Sequence, residues 1–319
     1  MKKTNITRTV KTRQVEAGCA CCTNPMWSWT IYVYWFIILF FIAATFYIIG
    51  RGHEFLNPTS RNVVITEESL KRPQDYIDAA KEQIKNGDLE AAIIELNAAV
   101  DSNANSGVYV ARGEVHMQMG DYQKALDDFN SAIEIDSMNA NAFYDRTLLN
   151  TRLENYEAAM TDINNALAAQ SMKPVENLTL RDLYAKRGQL NLWLKNWQGA
   201  IADYTNSLAR AEGSVSSNVY AERAEAYTAM GRYEDAINDY TSAVRVISEQ
   251  IQAATTQDER ESQSSNAMSY FEKSAALNLQ LGRNDVAKND LESAFAIAVS
   301  LNDTESIDRI QNLINGLNN

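Results

Sequence analysis

Histidine and cysteine, side chains often used for nucleophilic or metal chemistry, are scarce in this sequence. Its 319 residues include two histidines and three cysteines, and no histidine lies near a cysteine or another histidine. His53 stands alone in a polar segment, and His116 falls at a position expected to pack against a neighbouring helix. The chain has no glycine-rich phosphate loop and no His-x-x-x-His pair. We therefore expect no catalytic residues, no metal site, no cofactor and no small-molecule substrate.

The three cysteines lie close together in the N-terminal tail, at Cys19, Cys21 and Cys22. They are either reduced thiols without a function or sites of lipidation beside a membrane. Metal binding by this C-x-C-C sequence is a weaker reading, since a closed site usually needs a fourth ligand and no histidine is nearby. No cysteine follows residue 22, so the rest of the chain needs no disulfide.

An uncharged apolar segment follows this tail and predicts a transmembrane helix over residues 30–50. Twenty helical residues rise about 30 Å, the thickness of the hydrocarbon core of a bilayer. The alternatives fit less well, because a buried globular helix rarely stays apolar on every side for this length, and a signal peptide has a shorter apolar stretch. Aromatic residues that favour the lipid–water boundary occur near its ends: Trp27, Trp29, Tyr32 and Tyr47.

Charge is distributed unevenly on the two sides of this segment. Residues 1–29 contain five basic residues and one acidic residue, a net charge of +4. Residues 30–50 are uncharged and the whole chain has −12, so residues 51–319 carry −16. The positive-inside rule places the basic tail in the cytoplasm, against membrane lipid, and the acidic part across a bacterial inner membrane or an organellar membrane. The acidic charge argues against nucleic acid as a partner.

Beyond a linker at residues 51–72, the sequence repeats itself. An alanine marks each unit, with a large apolar residue four positions later and a small residue three positions after that. The six alanines are separated by 33, 34, 41, 36 and 51 residues: Ala92, Ala125, Ala159, Ala200, Ala236 and Ala287. This spacing puts the three side chains on one stripe of a helix, where small residues let a second helix approach closely.

These units resemble the tetratricopeptide repeat, a helix–turn–helix unit with a period of about 34 residues. The resemblance covers residues 73–300 and implies an all-α solenoid of about six repeats. In four repeats a glycine falls where the first helix should end: Gly87, Gly120, Gly231 and Gly282. Residues 301–319 predict a capping helix with five apolar residues on one face: Ile307, Ile310, Leu313, Ile314 and Leu317.

Two charged residue types recur at fixed places in the repeats. Four repeats have an arginine before the small residue of the first helix: Arg112, Arg146, Arg187 and Arg223. Five have an aspartate before the large residue of the second helix: Asp128, Asp162, Asp203, Asp239 and Asp290. They form either a basic stripe for a ligand or a ladder of ion pairs between packed helices. Because the two types occur together repeat by repeat, we expect the ladder.

Two repeat spacings clearly exceed the basic period of about 34 residues. The extra residues of the first fall at 169–180 and predict a loop that contains Pro174. Those of the second fall at 248–265 and predict either extended helices or a flexible insertion. Insertions in a solenoid map to one edge, so both segments are candidate partner contacts.

Proteins with this repeat commonly bind peptides or partner domains on a face lined by the first helix of each repeat. The resemblance places nine candidate partner-binding residues there: Glu114, Tyr144, Asp145, Arg152, Lys186, Gln189, Trp193, Glu222 and Glu225. Trp193 and Tyr144 are candidates to anchor an apolar side chain, and the glutamates favour basic partners. The lysine and asparagine clamp of chaperone-binding members is missing, since Val110, Glu114, Tyr144, Leu148, Ala185 and Gln189 occupy its places.

We therefore expect a non-catalytic, single-pass membrane scaffold or adaptor that binds protein partners and helps assemble or stabilise a membrane-associated complex. The layout is similar to that of bacterial inner-membrane proteins whose periplasmic repeats assist translocation, secretion or envelope assembly. In the alternative interpretation the protein is an accessory subunit of a large integral-membrane complex, packed through its aromatic-rich span. Secretion, pilus or motility, and energy-transducing machinery are the candidates for that complex.

Overall fold

The computed structural model describes residues 71–210 and 216–317, and these residues form thirteen α-helices and no strand. The predicted all-α fold is confirmed. The first twelve helices make six pairs, and α13 (Thr304–Leu317) follows them. The pairs are α1 (Pro73–Lys85) and α2 (Leu89–Asn103), α3 (Ser106–Met119) and α4 (Tyr122–Ile135), α5 (Ala140–Arg152) and α6 (Tyr156–Met172), α7 (Leu180–Trp193) and α8 (Trp197–Leu208), α9 (Ser217–Ala229) and α10 (Tyr233–Ala253), and α11 (Gln257–Gln280) and α12 (Asn284–Leu301).

Each helix packs against the one that follows it, as in a solenoid. First helices of neighbouring repeats also contact one another, at α1–α3, α3–α5 and α7–α9. Side chains also join α9 to α11, where the Tyr270 hydroxyl donates to Asn218 Oδ1 at 2.8 Å. We call the surface formed by α1, α3, α5, α7, α9 and α11 the first-helix face.

The core follows the predicted stripe of alanines and large apolar residues. All six marker alanines are fully buried, and the large residues four positions later are at most 2% exposed. The space between paired helices explains two glycines of the first helices. A Cβ atom at Gly113 would lie 2.6 Å from the Phe129 ring, and one at Gly188 would lie 2.8 Å from the Tyr204 ring. Both distances are below normal contact, so a side chain at either position would force the aromatic ring of the second helix to move.

The turn inside each repeat needs a residue with left-handed backbone geometry. The four glycines predicted to end first helices all have a positive φ, between 71° and 83°. Glu154 and Lys195 take the same conformation at φ 59° and 57°, in the two repeats where glycine is absent. The turn geometry is therefore kept even where the sequence carries no glycine.

The arginine–aspartate ladder is confirmed. Each of the four arginines binds both carboxylate oxygens of the aspartate sixteen positions later. In one example, Arg146 Nη2 lies 2.6 Å from Asp162 Oδ1, and Nε lies 2.9 Å from Oδ2. The arginine Nη1 groups donate to side chains on the second helix of the preceding repeat: Asn97, Asn130, Asn164 and Thr205. Each arginine thus joins three helices and two repeats.

The sixth repeat keeps the aspartate without the arginine. Asp290 accepts hydrogen bonds from Ser274 Oγ at 2.8 Å and Asn278 Nδ2 at 3.1 Å. Burial raises the pKa of this carboxyl group, and the two hydrogen bonds oppose the rise. Neutral donors therefore replace the guanidinium at the last rung of the ladder.

The two lengthened segments have different structures. The loop predicted at 169–180 is shorter than expected, because α6 continues to Met172 and α7 begins at Leu180. Gln170 holds this loop, donating to Val175 O at 3.0 Å and accepting from Val175 N at 2.9 Å. At 248–265 the alternative with extended helices is correct, because α10 runs to Ala253 and α11 begins at Gln257.

Helix α13 covers the end of the stack, as predicted. Asp303 Oδ1 accepts from Ser306 N at 3.1 Å and caps its first turn. Ile310 and Ile314 are buried against α11 and α12. The expectation is wrong for Leu313, which is 46% exposed, because the buried stripe is complete with Ile307, Ile310, Ile314 and Leu317 and Leu313 lies beside it.

Candidate partner-binding site

A groove on the first-helix face brings four of the nine predicted partner-binding residues together. Its volume is about 420 Å³. The predicted residues that line it are Tyr144 from α5, Lys186 and Gln189 from α7, and Glu222 from α9. The remaining lining residues are Arg181, Asp182, Ala185, Ser207, Ser216, Val219 and Gln250.

A short polar network crosses this groove from α7 to α9. Lys186 Nζ donates to Gln189 Oε1 at 2.9 Å, and Gln189 Nε2 donates to Glu222 Oε1 at 3.4 Å. Burial raises the pKa of Glu222 and lowers the pKa of Lys186, since removal of water disfavours both charges. The groove therefore holds a cation, an amide and a carboxyl group that are all partly desolvated, the conditions under which a hydrogen bond to a ligand is strong.

Glu225 lines a second cavity, between α9 and α11, with a volume of about 400 Å³. Its carboxylate forms an ion pair with Lys273 Nζ at 2.6 Å. Apolar and aromatic residues line the rest of the cavity: Ala229, Tyr240, Ala276 and Leu277, with Thr228 and Gln280. The charge of Glu225 is thus compensated within the fold, and the cavity offers room for an apolar side chain.

Glu114 and Asp145 face one another between α3 and α5. Burial raises the pKa of Glu114. Burial and the neighbouring Glu114 carboxyl group raise the pKa of Asp145 well above its usual value. The two carboxyl groups therefore bind protons more readily than solvated carboxylates do.

Trp193 and Arg152 lie outside the groove. The Trp193 ring packs against the Tyr156 ring, with centroids 5.4 Å apart, and it remains 45% exposed. The Arg152 guanidinium lies over the Tyr122 ring at 5.9 Å. Trp193 and Tyr144 therefore do not line one pocket, although both belong to the first-helix face.

Some predictions fall outside the residues that the structure describes. These are the interface aromatics Trp27, Trp29, Tyr32 and Tyr47, the cysteines Cys19, Cys21 and Cys22, and the span at 30–50. Among the helices at 71–210 and 216–317, none is long and apolar enough to cross a bilayer. The same residues contain no group of three or more His, Cys, Asp or Glu side chains that is arranged to hold a metal ion.

Two repeat units of the structure match family models. Residues 108–139, which cover α3 and α4, and residues 217–249, which cover α9 and most of α10, each match a tetratricopeptide repeat model. The chain contains tetratricopeptide repeats. In the six pairs of TPR helices, the groove lies between the fourth and fifth repeats and includes Tyr144 from the third.

Solved TPR structures share this fold. The C-terminal part of a TPR repeat-containing protein from Cytophaga hutchinsonii is 14% identical, with a TM-score of 0.56 over 76% of this chain and 90% of that one. PilW, a type IV pilus biogenesis factor, is 16% identical, with a TM-score of 0.56 over 75% and 98%. YrrB, a TPR protein with an unusual peptide-binding site, is 15% identical, with a TM-score of 0.52 over 68% and 97%. At these identities the similarity shows the fold alone.

One relative in sequence is the DnaJ homolog subfamily C member 7 homolog of Dictyostelium discoideum. It is 26% identical over 208 residues, which are 62% of this chain. The chain spans 38% of the length of that relative.

Most lining residues of the groove and the cavity were not among the predicted site residues, and Ser207, Arg181 and Lys273 show why. Ser207 of α8 belongs to the small-residue stripe, and serine in place of alanine was the one sequence signal that set it apart. Arg181 at the start of α7 lies next to the seven-residue extension, and Lys273 lies in the middle of the long α11. Counting positions with the standard period of about 34 residues does not assign Arg181 or Lys273 to the binding face, because each lies beside a lengthened repeat.

Proposed function

We propose that this protein is a non-catalytic TPR scaffold that binds protein partners along its first-helix face. The observation that supports this most strongly is the groove in which Tyr144, Lys186, Gln189 and Glu222 meet. Rigid packed helices hold these side chains, so little conformational entropy is lost when a partner orders them. The cavity beside Glu225 and Lys273 adds a place for an apolar anchor on the same face.

Membrane attachment is part of this proposal and rests on the sequence. The uncharged residues 30–50 would anchor the chain, with the basic tail on the cytoplasmic side and the repeats on the other. The partners would then belong to a membrane-associated complex, and membrane lipid would contact the span and tail. PilW, with which this chain shares its fold, is a type IV pilus biogenesis factor. A role in the assembly of a membrane-associated complex is therefore one version of this proposal. The accessory-subunit interpretation differs in placing the main contact at the span.

Reciprocal pull-down in mild detergent tests the proposal and separates its two forms. The comparison uses the full chain, a chain without residues 1–50, and a full chain with Gln189→Arg, which fills the groove. A scaffold keeps its partners without residues 1–50 and loses them with Gln189→Arg. Partners lost only on deletion of the span favour the accessory subunit, and partners unaffected by either change contradict both. Lys124→Gln, on the exposed surface of α4, is the matched control.

A further inference from the structure

Lys186 brings a positive charge into the groove and forms no ion pair at contact distance within residues 71–210 and 216–317, although the Glu222 carboxyl group is near enough to act on its charge. Its ammonium group donates to the neutral Gln189 amide oxygen at 2.9 Å and lies 5.8 Å from the centroid of the Trp193 ring. In the described part of the chain, no ion pair includes Lys186, in contrast to Lys124, Lys173 and Lys273. A half-buried ammonium without a carboxylate at contact distance gains more from a bound anion than a solvated ammonium does.

Ser207 gives a second and independent indication of a ligand. Ser207 is one of the lining residues of the groove, the residue is 1% exposed, and its buried hydroxyl has no hydrogen-bond partner among the described residues. A buried hydroxyl without a partner is unfavourable, and such groups are rare in folded proteins. The five other repeats have alanine at this position: Ala99, Ala132, Ala166, Ala243 and Ala294. Alanine therefore suffices for packing at this position, and the serine adds an unpartnered hydroxyl donor in the wall of the groove.

The acidic residues of the groove are already engaged. Asp182 accepts from the Thr179 hydroxyl at 2.6 Å and from Arg181 Nε at 3.1 Å, so its charge is compensated. Glu222 accepts from the Gln189 amide, and burial raises its pKa. The Glu222 carboxyl group can accept further hydrogen bonds. A neutral N–H donor suits it better than a second cation, because the positive charge of Lys186 already lies in the groove. Together these groups offer donors for an anion next to an acceptor for a backbone amide.

We propose that this groove binds the carboxylate of an aspartate or glutamate side chain within an extended segment of the partner. Lys186 and Ser207 donate to the carboxylate, and Glu222 accepts from a backbone N–H of the same segment. An internal side chain fits better than a chain end, because an extended segment offers backbone N–H groups on both sides of its acidic residue. The inference rests on the proposed function, and it replaces the expectation of basic partners that the glutamates suggested.

Selection from a displayed library of random peptides, on the full chain in detergent, tests this inference. Each displayed peptide is joined at its C-terminus to the coat protein, so it offers no free chain end. We expect selected peptides to be enriched in Asp or Glu, and the Glu→Gln version of a selected peptide to bind about tenfold more weakly. A peptide with Gln inside and a free C-terminal carboxylate should not restore the affinity. If it does, the site is one for a chain end and the proposal fails.

Variants of the protein then locate the contact. Lys186→Gln should weaken binding of the acidic peptide about tenfold, Lys186→Arg should keep most of it, and Lys124→Gln should change nothing. Ser207→Ala should weaken binding while the melting temperature does not fall, a split that a packing role for Ser207 would not produce. Affinity should also decline with ionic strength.

The remaining outcomes separate this inference from the proposed function. Selected peptides that show no acidic preference, or that bind equally to Lys186→Gln, overturn the inference and leave peptide binding intact. Failure to select any peptide counts against the proposed function and the inference together.

Discussion

Removal of one partner from a buried arginine–aspartate pair tests how the repeats are held together. In the Arg146–Asp162 pair, the aspartate side chain is 4% exposed and the arginine side chain 21%. Asp162 accepts from Arg146 Nε at 2.9 Å and Nη2 at 2.6 Å, and from Asn150 Nδ2 at 2.9 Å. Arg146→Met leaves a buried carboxylate with one neutral donor, and it also removes the link to Asn130 of the preceding repeat.

Breaking a buried ion pair costs about 3–5 kcal/mol of unfolding free energy. We expect about 3 kcal/mol for Arg146→Met, since one side of the pair is open to water, which screens part of the loss. For Asp162→Leu we expect about 2 kcal/mol, because the freed guanidinium is partly hydrated. The double variant should lose only about 1–2 kcal/mol, because it leaves no unpaired buried charge.

Urea unfolding of the helical unit Thr66–Asn319, followed by far-ultraviolet circular dichroism, measures these differences. The fit should treat the repeats as coupled units, because a solenoid need not unfold in one step. Lys124→Met is the control, since its ion pair with Asp121 is exposed to water and its removal should leave the unfolding free energy nearly unchanged. A double variant as unstable as the sum of the two single variants would refute the role of the pair.

Three further predictions concern the core and the buried acids. Ala236→Leu should lower the unfolding free energy by about 1–3 kcal/mol, because Ala236 is fully buried at the helix contact. An unchanged melting temperature would contradict that placement. Gly113→Ala should cost a similar amount, about 1–3 kcal/mol, since its Cβ would meet the Phe129 ring, whereas Gly316→Ala, with no atom within 4 Å, should cost nothing. Glu114 and burial raise the folded-state pKa of Asp145, so stability should fall as the pH rises from the ordinary carboxyl pKa toward the raised one. Asp145→Asn should reduce this slope and raise stability at neutral pH, and a slope unchanged from that of the unmodified chain in urea titrations would count against the carboxyl pair.

The repeat architecture is predictable from sequence because one local pattern recurs. Ala125, Phe129 and Ala132 fix a helix stripe through spacing alone, and five other segments repeat it. The arginine–aspartate pairs are predictable for the same reason, since a fixed separation of sixteen residues recurs wherever both types are present. Repetition thus turns a weak local signal into a strong one.

The candidate site was less predictable because it depends on contacts between repeats. Glu225 was expected to attract basic partners, but Lys273 lies 48 positions later in the chain and neutralises it. Trp193 and Tyr144 were predicted as anchors for an apolar side chain, and the contact of Trp193 with Tyr156 on α6 could not be read from the register of α7. Burial also raises the pKa of Glu114 and of Asp145, which their positions in the sequence did not indicate. The position of a residue along one helix tells which face of that helix it lies on. The side chains that it contacts belong to helices dozens of residues away in the sequence.

Site-specific photo-crosslinking in the membranes of the host tests the central claim most directly. A benzophenone amino acid in place of Gln189 reports on the groove, and the same group in place of Lys124 reports on the exposed surface of α4. A scaffold that uses its first-helix face should give partner adducts from position 189 and none from position 124. Lys186→Gln should reduce the adducts from position 189. Adducts of equal strength from both positions, or from position 124 alone, would contradict partner binding by this face.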